Sequence, residues 1–111
     1  MVETSDQWIT ERTGIKNRFL VGPGETCSDL GARAALDACQ KAGVDPADIE
    51  LIVFATITPD MMLPATACLV QHKIGATRAW GFDLSIACSG FLYALQVGVQ
   101  FILSGCHKNV L

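Results

Sequence analysis

The sequence predicts an α/β fold organised around a largely parallel sheet. Two short apolar runs, 51–57 and 79–84, are separated by a segment of helical character, and another helical segment follows the second run. Strands that alternate with helices in this way are typical of right-handed βαβ units. Half of the 111 residues are hydrophobic and 17% are charged, so the chain can form a core and is too weakly charged to be disordered.

A short helix is predicted over residues 5–12. Thr4 and Gln7 have the spacing of a capping box and precede two apolar residues. Gly14 stands where many helices end in the left-handed conformation. The surrounding positions are rich in charge, which indicates a helix with a solvent-facing side.

A longer helix is predicted from Ser28, as its N-cap, to Ala42. Apolar residues recur in it at every fourth position, which predicts a buried stripe at Leu30, Ala34 and Ala38. An Asp-Pro pair at 45–46 then predicts a turn, with Asp as N-cap and Pro at the first helical position.

The βαβ unit follows this turn. The run 51–57 is continuous, apolar and β-branched, as expected for a strand buried on both faces. Pro64 at the first helical position predicts a helix that continues to about Ile74, and 79–84 is predicted as the second strand. Residues 109–111 are predicted to begin a third strand.

The segment 88–104 is predicted as a helix that is apolar nearly all round. Residues 84–107 contain no Asp, Glu, Lys or Arg, so a membrane span has to be considered. Polar side chains interrupt the run and no basic cluster flanks it, which argues against a span. An apolar helix with small and amide residues favours the buried central helix of a globular protein.

Charge and cysteine patterns exclude several classes of protein. The net charge of −3 and the scattered lysines and arginines argue against a nucleic-acid partner. The first residues lack the basic and apolar regions of a secretory signal, so a cytoplasmic location is expected. The five cysteines contain no C-x-x-C pair, which favours reduced thiols over a disulfide framework or a metal site.

One cysteine stands apart because of its position. Cys88 follows the strand 79–84 after a three-residue connection and opens the predicted helix. Free N–H groups and the positive end of the helix dipole favour an anion there, and the thiolate is the reactive form of cysteine. Gly90 is expected to keep the first turn open to a substrate carbonyl. Spacing alone leaves an ordinary core cysteine as the alternative.

Two motifs carry a family resemblance. The string Asp-Leu-Ser-Ile-Ala-Cys-Ser-Gly-Phe at 83–91 precedes Tyr-Ala-Leu at 93–95, and Thr-Ser-Asp-Gln-Trp-Ile at 4–9 precedes Arg-Thr-Gly-Ile at 12–15. Both motifs resemble signatures of the β-ketoacyl-acyl-carrier-protein synthase III family, and the resemblance covers the whole chain. It implies the amino-terminal part of a thiolase-like fold: a partial domain over 1–111 that lacks the family's first strand and carboxy-terminal half.

The resemblance assigns roles to individual residues. Cys88 is implied to be the nucleophile that takes an acyl group from an acyl-coenzyme A. Thr4, Trp8 and Arg12 match positions that hold the coenzyme, with Trp8 stacking on its adenine and Arg12 near its phosphates. Without the resemblance, Trp8 reads as a structural anchor of a short helix.

Two further positions are implied to contact the acyl substrate. Leu63 matches a position that lines the acyl pocket of the neighbouring subunit, and Phe91 belongs to the cysteine motif. The position of Leu63 is commonly Phe in straight-chain bacterial enzymes of the family. Because Leu is smaller and differently shaped, the length and branching of the primer stay open.

By the same resemblance, the intact enzyme condenses an acyl-coenzyme A primer with malonyl-acyl carrier protein by decarboxylative Claisen condensation and initiates fatty-acid synthesis. It is expected to be a homodimer without a permanently bound cofactor or metal. The family completes its chemistry with a His and an Asn of its carboxy-terminal half, and His72 and His107 stand outside that motif. The 111 residues alone are therefore expected not to complete condensation.

Three alternatives remain open at this level. One is a related condensing enzyme of specialised polyketide or quinolone metabolism. Another is a non-catalytic half-domain that associates with a partner through its incomplete sheet. The third is a cysteine hydrolase, which needs a general base that neither His72 nor His107 is obviously placed to supply.

Overall fold

The computed structural model describes residues 3–111 as an α/β arrangement in which four α-helices and a short 3-10 helix surround two strands. In chain order the elements are α1 (Asp6–Thr13), α2 (Cys27–Ala42), the 3-10 helix (Pro46–Asp48), β1 (Leu51–Ala55), α3 (Thr66–Ile74), β2 (Trp80–Leu84) and α4 (Gly90–Leu103). The strands β1 and β2 run parallel and are joined by α3, with Leu51 opposite Trp80 and Ala55 opposite Leu84. This confirms the predicted βαβ unit.

The last residues extend the sheet on the other side of β1. Val110 forms a parallel bridge with Leu51. The Leu111 N–H donates to the Leu51 carbonyl at 2.9 Å, and the Val53 N–H donates to the Leu111 carbonyl at 2.9 Å. Residues 109–111 therefore begin a third strand, as predicted, and β1 lies at the centre of the sheet.

Helices cover both faces of this sheet. Ile52 belongs to one core cluster with small and branched side chains of α2 and α3. On the opposite face, α4 crosses β1 so closely that a Cβ at Gly90 would lie 2.9 Å from that of Ala55. Leu51 and Ile52 are almost fully buried, as expected for a strand with both faces covered.

Helix α1 is present, but its cap differs from the prediction. Ser5, in extended backbone, is the N-cap, and its hydroxyl accepts the Trp8 N–H at 3.1 Å. Thr4 therefore lies outside the helix. Gly14 ends α1 with φ of 73°, as predicted, and the helix buries none of its residues.

Helix α2 is capped two residues earlier than predicted. Thr26 is the N-cap and forms a reciprocal capping box with Asp29, whereas Ser28 lies in the first turn and is fully buried. The buried positions are Ser28, Ala32, Ala35 and Cys39. The predicted stripe is wrong, since it lies on the exposed side at Leu30, Ala34 and Ala38. With many alanines in the helix, several stripes fit the sequence, and the small residues that allow close packing against α3 and β1 are the ones buried.

Helix α4 begins at Gly90, two residues after the predicted start, and ends before Gly105, whose φ is 75°. Only Gly90 and Gly98 are buried in it, and a Cβ at Gly98 would lie 3.2 Å from a methyl group of Val110. Most of the large apolar side chains of α4 are exposed. Within the described residues, the helix that was predicted to be buried is therefore covered by the sheet on one side only. No helix within residues 3–111 is both long and apolar enough to cross a membrane.

Candidate active site at the carboxyl edge of the sheet

The candidate site lies where the parallel strands end. The carboxyl ends of β1 and β2 meet at one edge, because Ala55 pairs with Leu84 and the Thr56 N–H donates to the Leu84 carbonyl at 3.0 Å. Cys27, at the start of α2, reaches the same edge, with its Sγ 3.7 Å from the Thr56 hydroxyl. This edge is the usual position of ligand sites in open α/β sheets.

Cys88 is exposed in the turn that joins β2 to α4 at this edge. The turn is closed by the Gly90 N–H, which donates to the Ala87 carbonyl at 2.9 Å. Ser89 is the N-cap but makes no side-chain cap, and the Cys88 N–H has no acceptor among residues 3–111. Free N–H groups at the start of a helix favour negative charge, so the turn can stabilise an anion beside the thiol.

Gly90 has a packing role that the sequence did not reveal. Because a Cβ at this position would lie 2.9 Å from the Ala55 Cβ, the glycine allows α4 to approach β1. The Cα of Gly90 therefore faces the sheet. This contact explains the glycine by helix packing, and the predicted access for a substrate carbonyl stays a prediction. The contact holds the first turn of α4, and with it Cys88, against the end of β1.

Asp83 has a capping role that the sequence did not reveal. Its carboxylate accepts the Thr66 N–H at 2.7 Å and the Ala67 N–H at 2.8 Å. It thereby caps α3, whose own N-cap, Ala65, has no side-chain acceptor. The helix starts at Thr66 and Pro64 precedes it, so the prediction of Pro64 at the first helical position is wrong. The sequence signal for this role is an aspartate inside an otherwise apolar strand, because a carboxylate that is partly buried there needs hydrogen-bond donors.

The two predicted acyl-contacting residues lie in different segments near this edge. Leu63 is 84% exposed in the connection between β1 and α3, and Phe91 is 74% exposed as the second residue of α4. Phe91 also lines an apolar groove between α4 and the sheet, beside Leu95 and Val53. Both side chains are therefore free to contact a further molecule or segment.

The residues predicted to hold coenzyme A lie on and just before α1. The Arg12 guanidinium carbon is 4.2 Å from the centre of the Trp8 ring, a cation–π geometry, and the Trp8 side chain is half exposed. Thr4 is exposed next to the N-cap. The structure therefore brings Trp8 and Arg12 together on an open surface, which contradicts the alternative of Trp8 as a buried anchor.

The other cysteines have different surroundings. Cys39 is buried in the core, where burial and then the nearby carboxylate of Asp45 raise the pKa of its thiol. Cys106 is exposed after α4, and Cys68 is half-buried in α3. Within residues 3–111, no three His, Cys, Asp or Glu side chains are grouped as metal ligands would be.

Neither histidine is placed to act as a base for Cys88. His107 accepts a hydrogen bond from the Trp80 indole at 3.1 Å and stacks on Phe101 at 5.4 Å. Trp80 is the first residue of β2, whereas Cys88 comes after Leu84, the last residue of that strand. The two ends of β2 are about 13 Å apart, so His107 lies at the end remote from Cys88. His72 is exposed in the last turn of α3, away from the edge at which that helix starts. This arrangement disfavours the hydrolase alternative.

Comparison with known proteins adds independent information. The family model for 3-oxoacyl-[acyl-carrier-protein] synthase III matches residues 82–111. A curated β-ketoacyl-[acyl-carrier-protein] synthase III from Koribacter versatilis is 55% identical over all 111 residues. The crystal structure of 3-oxoacyl-[acyl-carrier-protein] synthase III from Aquifex aeolicus matches 96% of this chain with a TM-score of 0.86 and 48% identity.

A further solved structure, the priming β-ketosynthase of the R1128 polyketide pathway, is 40% identical over 95% of this chain with a TM-score of 0.84. The chain spans about one third of the length of these relatives: 33% of the Koribacter protein, 34% of the Aquifex chain and 31% of the polyketide enzyme. The sequence comparisons and the fold comparison thus point to the same family. Over nearly its whole length, this chain is similar to proteins of the β-ketoacyl-acyl-carrier-protein synthase III family.

Proposed function

We propose that this chain carries the acyl-accepting cysteine of an acyltransferase that condenses an acyl-coenzyme A with malonyl-acyl carrier protein and initiates fatty-acid synthesis. One observation carries the proposal: Cys88 is exposed in the turn between β2 and α4, at the carboxyl edge of the sheet. The names of the relatives support the same reaction class.

The first half-reaction is transfer of the acyl group to Cys88. The thiolate attacks the carbonyl carbon of the thioester, and the carbonyl oxygen becomes an oxyanion. The free Cys88 N–H and the start of α4 lie where they can stabilise that charge. The intermediate collapses by breaking the bond to the coenzyme sulfur, which leaves as a thiolate and takes a proton, and an acyl-cysteine remains.

The coenzyme is proposed to bind through α1. An indole face offers a stacking surface for adenine, and a guanidinium suits phosphate oxygens. The side chains of Trp8 and Arg12 are in contact and exposed to solvent, and Thr4 adds an exposed hydroxyl just before the helix. The coenzyme acts as a substrate here, and the proposal includes no permanently bound cofactor.

The second half-reaction joins the acyl group to malonyl carried by acyl carrier protein. Loss of carbon dioxide leaves an enolate, whose carbon attacks the acyl-cysteine and releases the Cys88 thiolate. By the resemblance, a His and an Asn outside these 111 residues stabilise the enolate. We therefore expect the 111-residue chain to form the acyl-enzyme slowly and to yield no ketoacyl product. The working enzyme is proposed to be a cytoplasmic homodimer, with the exposed Leu63 reaching the partner subunit.

Intact mass spectrometry tests the acyl transfer directly. Incubation with acetyl-coenzyme A should add one acetyl group to the chain, and Cys88→Ser should abolish the adduct. Cys106→Ser is the matched control, because Cys106 is also exposed but follows the end of α4. Absence of an adduct on chain shown to be folded by circular dichroism would favour the non-catalytic, associating alternative. Continuous release of coenzyme A without an adduct would favour a hydrolase.

A second candidate pathway is specialised acyl metabolism. It is favoured by the similarity to the priming β-ketosynthase of a polyketide pathway. Leu63 is the position at which the two candidates are expected to differ, because a smaller side chain leaves room for longer or branched acyl groups. Adduct formation with a panel of acyl-coenzymes A separates them: preference for acetyl supports fatty-acid initiation, and preference for longer acyl groups supports the specialised pathway.

A further inference from the structure

The segment 56–65, named here the Leu63 loop, connects β1 to α3 at the candidate site. Its tip is apolar and open: Met62 is 89% exposed and Leu63 84%. An apolar tip of this kind has no packing of its own to hold it in place. Its position therefore depends on polar contacts made elsewhere in the loop.

Asp60 makes those contacts. Its carboxylate accepts the Ser28 backbone N–H at 2.9 Å and also the Ser28 hydroxyl. Ser28 is fully buried in the first turn of α2, so its position is fixed by the core. Lys73 of α3 donates to the same Ser28 hydroxyl at 2.6 Å. Asp60 thus joins the loop to two helices through one buried serine.

The charge of Asp60 suits this position. Burial raises the pKa of Asp60, but hydrogen bonds from the Ser28 hydroxyl and N–H, with the nearby Lys73 charge, outweigh it and hold the pKa below its usual value. The carboxylate also lies at the positive end of α2. The hydroxyl of Thr26, the N-cap of α2, also lowers the pKa of Asp60, so the groups that stabilise this carboxylate lie at the start of α2 and at Lys73 of α3.

We infer that Asp60 is a positioning residue for acyl-chain selectivity, because it fixes the Leu63 loop relative to α2 and so sets where Leu63 reaches the acyl pocket of the partner subunit. The inference rests on the proposed function, in which Leu63 lines the acyl pocket. Asp60 hydrogen-bonds to α2, whereas Cys88 lies between β2 and α4, so Asp60 acts through the loop. Its removal should change which acyl group is accepted while the thiol itself keeps its reactivity.

A double-mutant cycle on the 111-residue chain tests this. The measured quantity is the ratio of Cys88 acylation rates with acetyl- and octanoyl-coenzyme A, followed by intact mass. Asp60→Ala should change the ratio by about threefold or more, and in a Leu63→Ala background it should change the ratio little, as expected for coupled residues. Asp37→Ala, which removes an exposed carboxylate paired only with Lys41 on α2, is the matched control and should leave the ratio unchanged.

Further measurements separate the possible failures. Amide exchange of peptides covering 57–65 should be faster in Asp60→Ala, and iodoacetamide labelling of Cys88 should be unchanged. Asp60→Asn, which keeps one acceptor oxygen, replaces the alanine variant if that variant does not fold. Equal changes of the ratio in both backgrounds, or no change in either, overturn the inference alone. If wild-type Cys88 is alkylated but accepts no acyl group, the proposed function is overturned and the inference with it.

Discussion

The Asp83 carboxylate accepts the Thr66 N–H at 2.7 Å, so a residue of β2 caps the helix that precedes it in the βαβ unit. The same carboxylate accepts the next N–H, that of Ala67, at 2.8 Å. The strand that leads to Cys88 is therefore bonded directly to the start of α3. Loss of this cap affects the fold and the alignment of the candidate site together.

Asp83→Ala is expected to lower the free energy of unfolding by about 1–3 kcal/mol, because it leaves the N–H donors of two fully buried residues unpaired. Urea unfolding followed by circular dichroism measures the change. Asp48→Ala is the control, since the Asp48 carboxylate makes an exposed ion pair with Arg78 whose loss should cost less than about 1 kcal/mol. Equal losses in the two variants would contradict the capping role.

Gly90→Ala tests the contact between α4 and β1. The new methyl group would meet the Ala55 Cβ at 2.9 Å, closer than packed carbon atoms allow, so the helix has to shift. A loss of about 1–3 kcal/mol in stability is expected, with slower acylation of Cys88. Gly22→Ala is the matched control, because nothing lies within 4 Å of its added Cβ. A Gly90→Ala chain as stable as wild type would show that α4 does not need this approach.

The strands and their order could be predicted because short apolar runs, β-branched in β1 and aromatic in β2, are informative on their own. Caps were less predictable, since neighbouring hydroxyl residues compete for the same role. Ser5 and Thr26 are the N-caps, and their hydroxyls accept the N–H groups of Trp8 and Asp29. The sequence offers Thr4 and Ser28 as competing candidates, and spacing alone does not separate them.

The contacts that organise the candidate site are non-local, which is why the sequence did not reveal them. Asp83 bonds Thr66 across 17 positions, and Asp60 bonds Ser28 across 32. The helix and strand periods of a sequence relate only near neighbours, so they do not predict contacts between residues this far apart. Cys88 could be singled out because its signal is local, a cysteine between a strand and a helix, and the structure adds that it is exposed.

Stability should fall in acid as Asp29 is protonated. A hydrogen bond from Lys73, followed by bonds from the Thr26 N–H and hydroxyl, lowers the pKa of Asp29 from 3.8 to about 2. The folded state thus binds this proton less readily than the unfolded state. The stabilisation is complete above about pH 4 and is lost as the pH falls towards 2. Asp29→Asn should reduce the drop in melting temperature between about pH 5 and pH 2, and an identical drop in both chains would contradict this assignment.

The 111-residue chain is expected to self-associate through α4. Its large apolar side chains are exposed, with Phe91 and Leu103 both at 74%, and exposed apolar patches of this kind favour association. Light scattering at micromolar concentration should show species larger than a monomer, and Leu103→Lys should reduce them. Leu20→Lys, which changes an exposed apolar residue outside α4, is the control. A single monodisperse monomer of wild type would count against this prediction.

Cys88 is expected to be the first of the five thiols to react with limiting iodoacetamide. It is exposed, and the free N–H groups before α4 can stabilise the negative charge of a reacting thiolate. Cys106 is also exposed but lies at the opposite end of α4, where carbonyl groups disfavour an anion. Cys39 should react last, because burial, followed by the charge of Asp45, raises the pKa of its thiol.

Peptide mapping after partial alkylation gives the order of reaction directly. The Cys88→Ser chain should then label at Cys106 first, which shows that the reagent reaches both ends of α4. If Cys106 or Cys27 reacts before Cys88 while the circular dichroism spectrum stays native, exposure and the start of α4 do not activate this thiol. The proposed nucleophile would then lose its chemical basis, because acyl transfer requires the same thiolate that alkylation reports.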